Sequence, residues 1–139
     1  MLCFSACTAA DSDVMPDGMT SGTACDEARS HSDLAWIQSK VFSASCTFSG
    51  CHLGAAANAG HLSLEPGQAR SQLINMVSTS DTAWMRVVPG NAANSYLLVA
   101  VGSQPGPSPA DGIMPLGNPK LCVEKRDAIR RWIEAGAPP

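Results

Sequence analysis

Aromatic residues are scarce: three Trp, three Phe and one Tyr, 5% of the 139 residues. A core must then come mostly from Ala, Val, Leu and Ile, or be completed by an apolar ligand. Long apolar runs are missing too. No stretch approaches the roughly 18–20 residues of a membrane-spanning helix, so no transmembrane helix is expected. Basic clusters are absent and the net charge is −3, so nucleic acid is not an expected partner. No convincing period-2 alternation and no internal repeat is present, which argues against a sheet protein or a repeat array. No Ser/His/Asp set, phosphate loop or carboxylate pair stands out, so no catalytic residue is assigned.

Cysteine is what the chain has: six residues, high for a reducing cytosol. That number points to an oxidising compartment or to cysteines occupied by a cofactor. The length suits one domain with a real core. Residues 1–24 read as an export-signal remnant and polar linker, and 25–139 as the folded domain. Phe4-Ser5-Ala6-Cys7 is similar to the end of a bacterial lipoprotein signal, with Cys7 as the residue that takes the lipid. The basic start and apolar middle of such a signal are not among Met1–Ala10. Asp11–Thr23 would be the tether between a lipid anchor and the domain.

Helical spacing dominates the rest. Ser32-Asp33 supplies an N-cap, and Leu34, Ile37 and Val41, flanked by Trp36 and Phe42, predict a helix over Leu34–Ser45. Pro66 in a first turn, followed by Leu73, Ile74 and Val77, predicts a second over Pro66–Val77. Trp84–Val88 reads as a short extended run stopped by Pro89-Gly90. Asn94 or Ser95 would cap a helix over Tyr96–Val101, ended by Gly102. Ser103–Gly112, with three prolines and two glycines, is neither helix nor sheet interior. The last helix is expected over Val123–Ala135, with Ile129, Trp132 and Ile133 inward, Lys125, Arg126, Arg130 and Arg131 toward solvent, and Gly136 as its stop. The fold class is mostly α, with about four short helices and long loops.

The first helix runs directly into Cys46-Thr47-Phe48-Ser49-Gly50-Cys51-His52. Two cysteines followed at once by histidine is the order that holds one covalent c-type haem: two thioether links and one imidazole on the iron. Cys46 and Cys51 are the thioether candidates and His52 the proximal ligand. The commonest spacing leaves two residues between the cysteines; here there are four, and Ser49-Gly50 gives the spacer room to bulge. A sixth iron ligand must come from the opposite side. Met114, isolated on a non-helical stretch and held extended by Pro115, is the candidate; its other reading is an apolar plug beside Ile113 and Leu116. A Cys46–Cys51 disulfide beside an ordinary histidine is a second reading of the motif. A zinc site is a third, but it needs four ligands, and neither His31 nor His61 has a convincing spacing. His61 could approach a haem carboxylate or serve as an alternative ligand, and Arg86 or Trp84 could hydrogen-bond a propionate; surface positions are the ordinary reading of each.

Together these features resemble a small monohaem c-type cytochrome domain of the class-I type, found in bacterial exported proteins and lipoproteins. The residues that carry the resemblance are Val41-Phe42 to His52, where the helix runs into the Cys…Cys-His site, Val88-Pro89-Gly90, Ser95-Tyr96-Leu97-Leu98, Met114-Pro115, and the closing Trp132-Ile133-Glu134-Ala135-Gly136-Ala137. The resemblance implies a cytochrome c-like fold around one haem c, with first and last helices crossed so that Ile37 and Phe42 lie near Ile129 and Trp132. On that geometry Cys25, ahead of the first helix, and Cys122, at the start of the last, become neighbours that either form a disulfide or remain buried thiols. It also implies His52/Met114 axial ligation of iron, electron transfer rather than catalysis, redox partner proteins of the cell envelope, and a periplasmic or otherwise extracytoplasmic place, membrane-anchored if Cys7 is lipidated. The alternatives are a haem-free, disulfide-stabilised exported binding module and, further off, a haem enzyme of the peroxidase type with an open sixth position.

Overall fold

The computed structural model describes residues 21–48, 50–54, 59–107, 109 and 112–139. Cys7 and the greater part of the expected linker lie outside these residues. The described chain is helical, with isolated bridges and no strand among the described residues. Its helices are short: α1 (Ser21–Ala28), α2 (Leu34–Ile37), α3 (Ser43–Ser45), α4 (Ala69–Leu73), α5 (Tyr96–Ala100) and α6 (Val123–Glu134).

Helix α1 starts inside the expected linker. Its buried residues are Ala24 and Ala28, small enough to let it lie close against α6. Cys25 on α1 is bonded to Cys122, the N-cap of α6. That bond and the packing on α6 recruit residues whose Ser/Gly/Thr-rich composition alone reads as tether.

The helix expected over Leu34–Ser45 is present as α2, a π turn (Gln38–Phe42) and α3 in one run. Asp33 caps it: Trp36 N–H donates to Asp33 Oδ1 at 2.8 Å. The wider turn shifts the phase of the helix enough to place Trp36, Ile37, Val41 and Phe42 all in the core. Cys46 N–H then donates to the Phe42 carbonyl, and the helix ends in the cysteine.

Helix α4 is shorter than Pro66–Val77. Gly67 sits at φ +81, which is not helical, and Ile74 is already extended. Ile74 bridges to Val87 and Val77 to Met85, so the β-branched residues leave the helix to pair with the extended 84–88 run. Ser95 precedes α5 without capping it: its buried hydroxyl accepts from Val88 N–H and donates to the Asn91 carbonyl, locking the Pro89-Gly90 turn.

Helix α6 is the central strut and packs against α1, α2 and α5. Ile37, Phe42, Ile129 and Trp132 share one core cluster. Trp132 is fully buried, and its indole N–H donates to the Pro138 carbonyl at 2.8 Å. The helix ends where expected, with Gly136 at φ +94. Its basic residues do not point to solvent as the sequence reading expects. Lys125 is buried. Arg126 donates to the Gly102 carbonyl, Arg130 to Ser103, and Arg131 to the Ala28 and His31 carbonyls. Long side chains on a short helix reach the ends of neighbouring loops, whose carbonyls have no helical partner and need donors.

Candidate functional site

A cavity of about 550 Å³ opens between the α2–α3 run, α6 and the loop that carries Met114, within the range of small-molecule and cofactor sites. Its apolar wall includes Val41 and Phe42 from the α2–α3 run, Leu73, Leu97 and Ile129. Cys46, Cys51, His52 and Met114, the four residues singled out by the sequence, all line it.

The Cys46–His52 segment is a tight turn. Cys51 N–H donates to the Phe48 carbonyl at 2.9 Å and His52 N–H to the Cys46 carbonyl at 3.1 Å. Gly50 has φ +83, a conformation that disfavours any side chain, so the glycine in the spacer has a geometric reason. Ser49 lies outside the described residues. Cys46 and Cys51 are not bonded to each other; both are free thiols, half-buried. Burial, with the neighbouring Cys51 adding to it and Lys125 opposing, pushes the Cys46 thiol up to about 12.

His52 is fixed at both its backbone and its ring. Leu64 N–H donates to the His52 carbonyl at 3.0 Å, and His52 Nδ1 lies 3.0 Å from the Leu62 carbonyl oxygen. A carbonyl can only accept, so Nδ1 carries the proton and Nε2 of the neutral ring keeps its lone pair. Burial holds the imidazole pKa below its ordinary value; the Leu62 bond opposes that shift and the Arg86 charge adds to it. At neutral pH the ring is therefore chiefly neutral, the state that ligates a metal.

Met114 comes from a distant loop. Its N–H donates to the Ala100 carbonyl at 2.8 Å, which ties the loop to the end of α5. The Met114–Pro115 peptide is cis. Gly102 has φ +71, which disfavours any side chain, and a Cβ there would also press on Ile113 Cγ2 at 3.2 Å. The same Gly102 carbonyl receives Arg126, so α6 fixes the turn from which the Met114 loop departs.

Arg86 also lines the cavity and is only 8% exposed. Its guanidinium donates to the carbonyls of Gln72, Gly60 and His61. His61 lies on the cavity wall but is exposed. Trp84 is not on that wall; it meets Tyr96 edge-on at 6.2 Å, and Tyr96 lines the cavity in its place. His31 stacks on Trp36 at 4.8 Å, pairs with Asp33 and does not line the cavity.

Among the described residues, the one set of three Cys, His, Asp or Glu ligand atoms lying within 4.8 Å of one another is Cys25, Cys122 and Glu124, and its two sulfurs are already bonded together. Cys46, Cys51 and His52 are thus spread around a cavity rather than gathered on a point. Sequence reading could not have found the Leu62 carbonyl, because a backbone acceptor leaves no mark in the residue type. The serine-rich segment Ser78–Ser80, which also lines the cavity, reads in sequence merely as loop. No known family, curated protein or solved structure matches this chain.

Proposed function

We propose that this chain is a monohaem c-type cytochrome domain that carries single electrons, with a cytochrome c-like fold closed around one covalently held haem c. The observation that carries the reading is that two unbonded cysteines, a histidine with Nδ1 committed to a carbonyl, and a methionine from a distant loop all border one largely apolar cavity. The donor set suits that group and does not suit a single zinc ion, whose ligands would have to converge. When bound, the haem would supply the one-electron Fe(III)/Fe(II) couple.

In this reading Cys46 and Cys51 supply the sulfurs of the thioether links. His52 offers Nε2 to the iron, with Leu62 fixing the ring's tautomer and orientation, as outer-shell partners of ligating histidines commonly do. Met114 offers its thioether sulfur, which favours a higher reduction potential than a second imidazole. Leu73, Leu97 and Ile129 exclude water from the plate. In this reading Met114 would take the place that a haem enzyme keeps open for its substrate, which favours electron transfer over turnover. The proposed setting is extracytoplasmic, with envelope redox proteins as partners and a lipid anchor at Cys7; the Cys25–Cys122 bond is compatible with an oxidising compartment.

The test is the absorption spectrum of the chain produced in a host that attaches haem to c-type cytochromes. Sharp reduced α and Soret bands that persist in denaturant, with the haem mass on the Cys46–Cys51 peptide, are the expected result. A colourless, folded product would sink the proposal and leave the haem-free binding module as the better reading.

A further inference from the structure

The chain from Met114 to Cys122 walls one side of the cavity and contains neither helix nor strand. Met114, Pro115, Leu116, Asn118 and Leu121 all line the space. Pro115 and Leu121, near the two ends, are buried, whereas Leu116, Gly117, Asn118, Pro119 and Lys120 between them are exposed. Among the described residues, the hydrogen bonds of residues 115–121 stay inside the segment. Asn118 N–H donates to the Pro115 carbonyl, and the Asn118 side-chain amide donates to the Leu116 carbonyl. A segment built this way is held by its ends. At one end Met114 N–H donates to the Ala100 carbonyl at 2.8 Å. At the other, Cys122 is bonded to Cys25 of α1. That second end is also where α6 begins, and the helix begins weakly. Cys122 is its N-cap but makes no side-chain capping hydrogen bond, because its sulfur is engaged with α1 instead. Arg29 pairs with Glu124 at 3.0 Å across the same junction, but its side chain is 67% exposed, and such pairs hold little in water. A first turn without a cap frays once its covalent tie is cut. Ala128, Ile129, Trp132 and Ile133 are fully buried and keep the body of α6 in place, so the loosening stays local.

We infer that Met114–Leu121 is a strap closing the cavity and that the Cys25–Cys122 bond is its latch, opened by thiol–disulfide exchange with a dithiol. The dithiol gives up two electrons and two protons and becomes a disulfide. The bond between Cys25 and Cys122 breaks, and each of its sulfurs takes a proton. With the latch open, the Leu121 end of the strap is freed and the cavity admits or releases its occupant. With the latch closed, the strap is tied at both ends and the occupant is retained. The inference rests on the haem reading only for the identity of that occupant. In that reading the same motion loosens Met114, so the latch also governs the access of outside ligands to the sixth position of the iron.

The test compares the haem-free full chain with the bond closed, opened by excess dithiol under native conditions, and closed again by oxidation. Amide hydrogen exchange across residues 114–122 should rise roughly ten-fold or more on opening, as a local unfolding event set free, and return on closure. The Val87 amide bonded to the Leu73 carbonyl and the Tyr96 amide bonded to the Met85 carbonyl lie outside the strap and should keep their protection. The fluorescent apolar dye anilinonaphthalene sulfonate should enter the cavity faster in the opened form. Unchanged exchange in the strap, dye entry at one rate in both forms, or a rise of equal size over the whole chain overturns the latch. The Cys25→Ser, Cys122→Ser variant should match the opened form with no dithiol present, which separates the bond from any action of the reagent on Cys46 or Cys51; a variant that exchanges like the closed form overturns the latch. If the unloaded chain does not fold, the haem-loaded chain decides the matter. With its iron reduced by ascorbate, carbon monoxide should bind roughly ten-fold faster with the bond open than closed, and equal rates overturn the inference. A colourless chain whose strap still opens keeps the latch and loses the haem reading. A haem-bearing chain whose strap ignores the bond loses the latch and keeps that reading.

Discussion

The Nδ1 of His52 and the carbonyl oxygen of Leu62 are 3.0 Å apart, and this contact assigns the two ring nitrogens different work. Nδ1 is the anchored donor, so Nε2 is the free ligand atom. His52→Ala should remove the proximal ligand from the haem-loaded chain. The expected result is loss of the low-spin absorption spectrum, with the far-ultraviolet dichroism of the helices retained. Added imidazole should restore a low-spin spectrum in the variant. An unaltered spectrum in His52→Ala would show that another residue holds the iron.

Cys46 carries a prediction for the chain before any haem is attached. With its pKa pushed up to about 12 by burial, almost none of it is thiolate at pH 8. Alkylation proceeds through the thiolate, so Cys46 in the folded, unloaded chain should react on the order of a thousand-fold more slowly than a free peptide thiol. Peptide mapping after timed iodoacetamide exposure reads this directly. Denaturation should restore the ordinary rate; equal rates before and after unfolding would contradict the buried position. In the loaded chain both Cys46 and Cys51 should be unreactive even when unfolded.

The Cys25–Cys122 bond spans a sequence separation of 97, so it constrains the unfolded state of nearly the whole described domain. Chain entropy puts its contribution at about 4–5 kcal/mol for a loop of that size. The Cys25→Ser, Cys122→Ser double variant should therefore unfold at markedly lower urea, with α1 the first element to detach. Hydrogen exchange would locate that loss. A midpoint within experimental error of wild type would mean that packing of α1 on α6 suffices without the bond.

Asp33 gives the pH dependence. It caps α2 through Trp36 N–H and pairs with His31. The His31 hydrogen bond first, then the Trp36 backbone bond, hold its carboxyl below the ordinary 3.8. A depressed carboxylate pKa contributes stability above the unfolded value and loses it as pH falls through the folded one. Asp33→Ala should cost about 1 kcal/mol at pH 7, the usual worth of an N-cap. The gap to wild type should persist down to about pH 4 and close below it. Thermal melts of the two proteins between pH 5 and pH 2.5 test the sign; a gap that widens over that range would refute the cap assignment.

How much of this was legible in the sequence differs from element to element. The cap at Asp33, the stop at Gly136 and the helix that delivers Cys46 were readable because each is a local event, written in adjacent residue types. Helix α4 was not: Ile74 and Val77 fit a helical period, but they are drawn into bridges with Val87 and Met85, partners that no local window contains. The inward turn of Arg126, Arg130 and Arg131 was hidden for a related reason. Their partners are loop carbonyls, and a carbonyl looks the same behind every residue type. In the site, the thiols, His52 and Met114 were readable as chemistry and were brought to one cavity by the fold. Arg86 looked like an ordinary surface arginine because its burial comes from the 60–61 and 72 backbone folding over it.

Met114 is where the proposed function is most exposed to test. Its position is fixed from two directions: its N–H to the Ala100 carbonyl, and the Gly102 turn held by Arg126. A side chain merely plugging the core would need neither the thioether nor that fixed approach, since a Leu of similar volume fills space as well. Met114→Leu therefore separates the two roles, keeping the plug and removing the sulfur. In the haem-loaded chain the variant should lose the near-infrared methionine–iron charge-transfer band, and its reduction potential should fall. The melting temperature of the unloaded chain should change little, because an isosteric swap costs less than about 1.5 kcal/mol. Met114→His should restore a low-spin spectrum at a potential below that of wild type. A charge-transfer band that survives in Met114→Leu would assign the sixth ligand to a different methionine and reduce Met114 to packing.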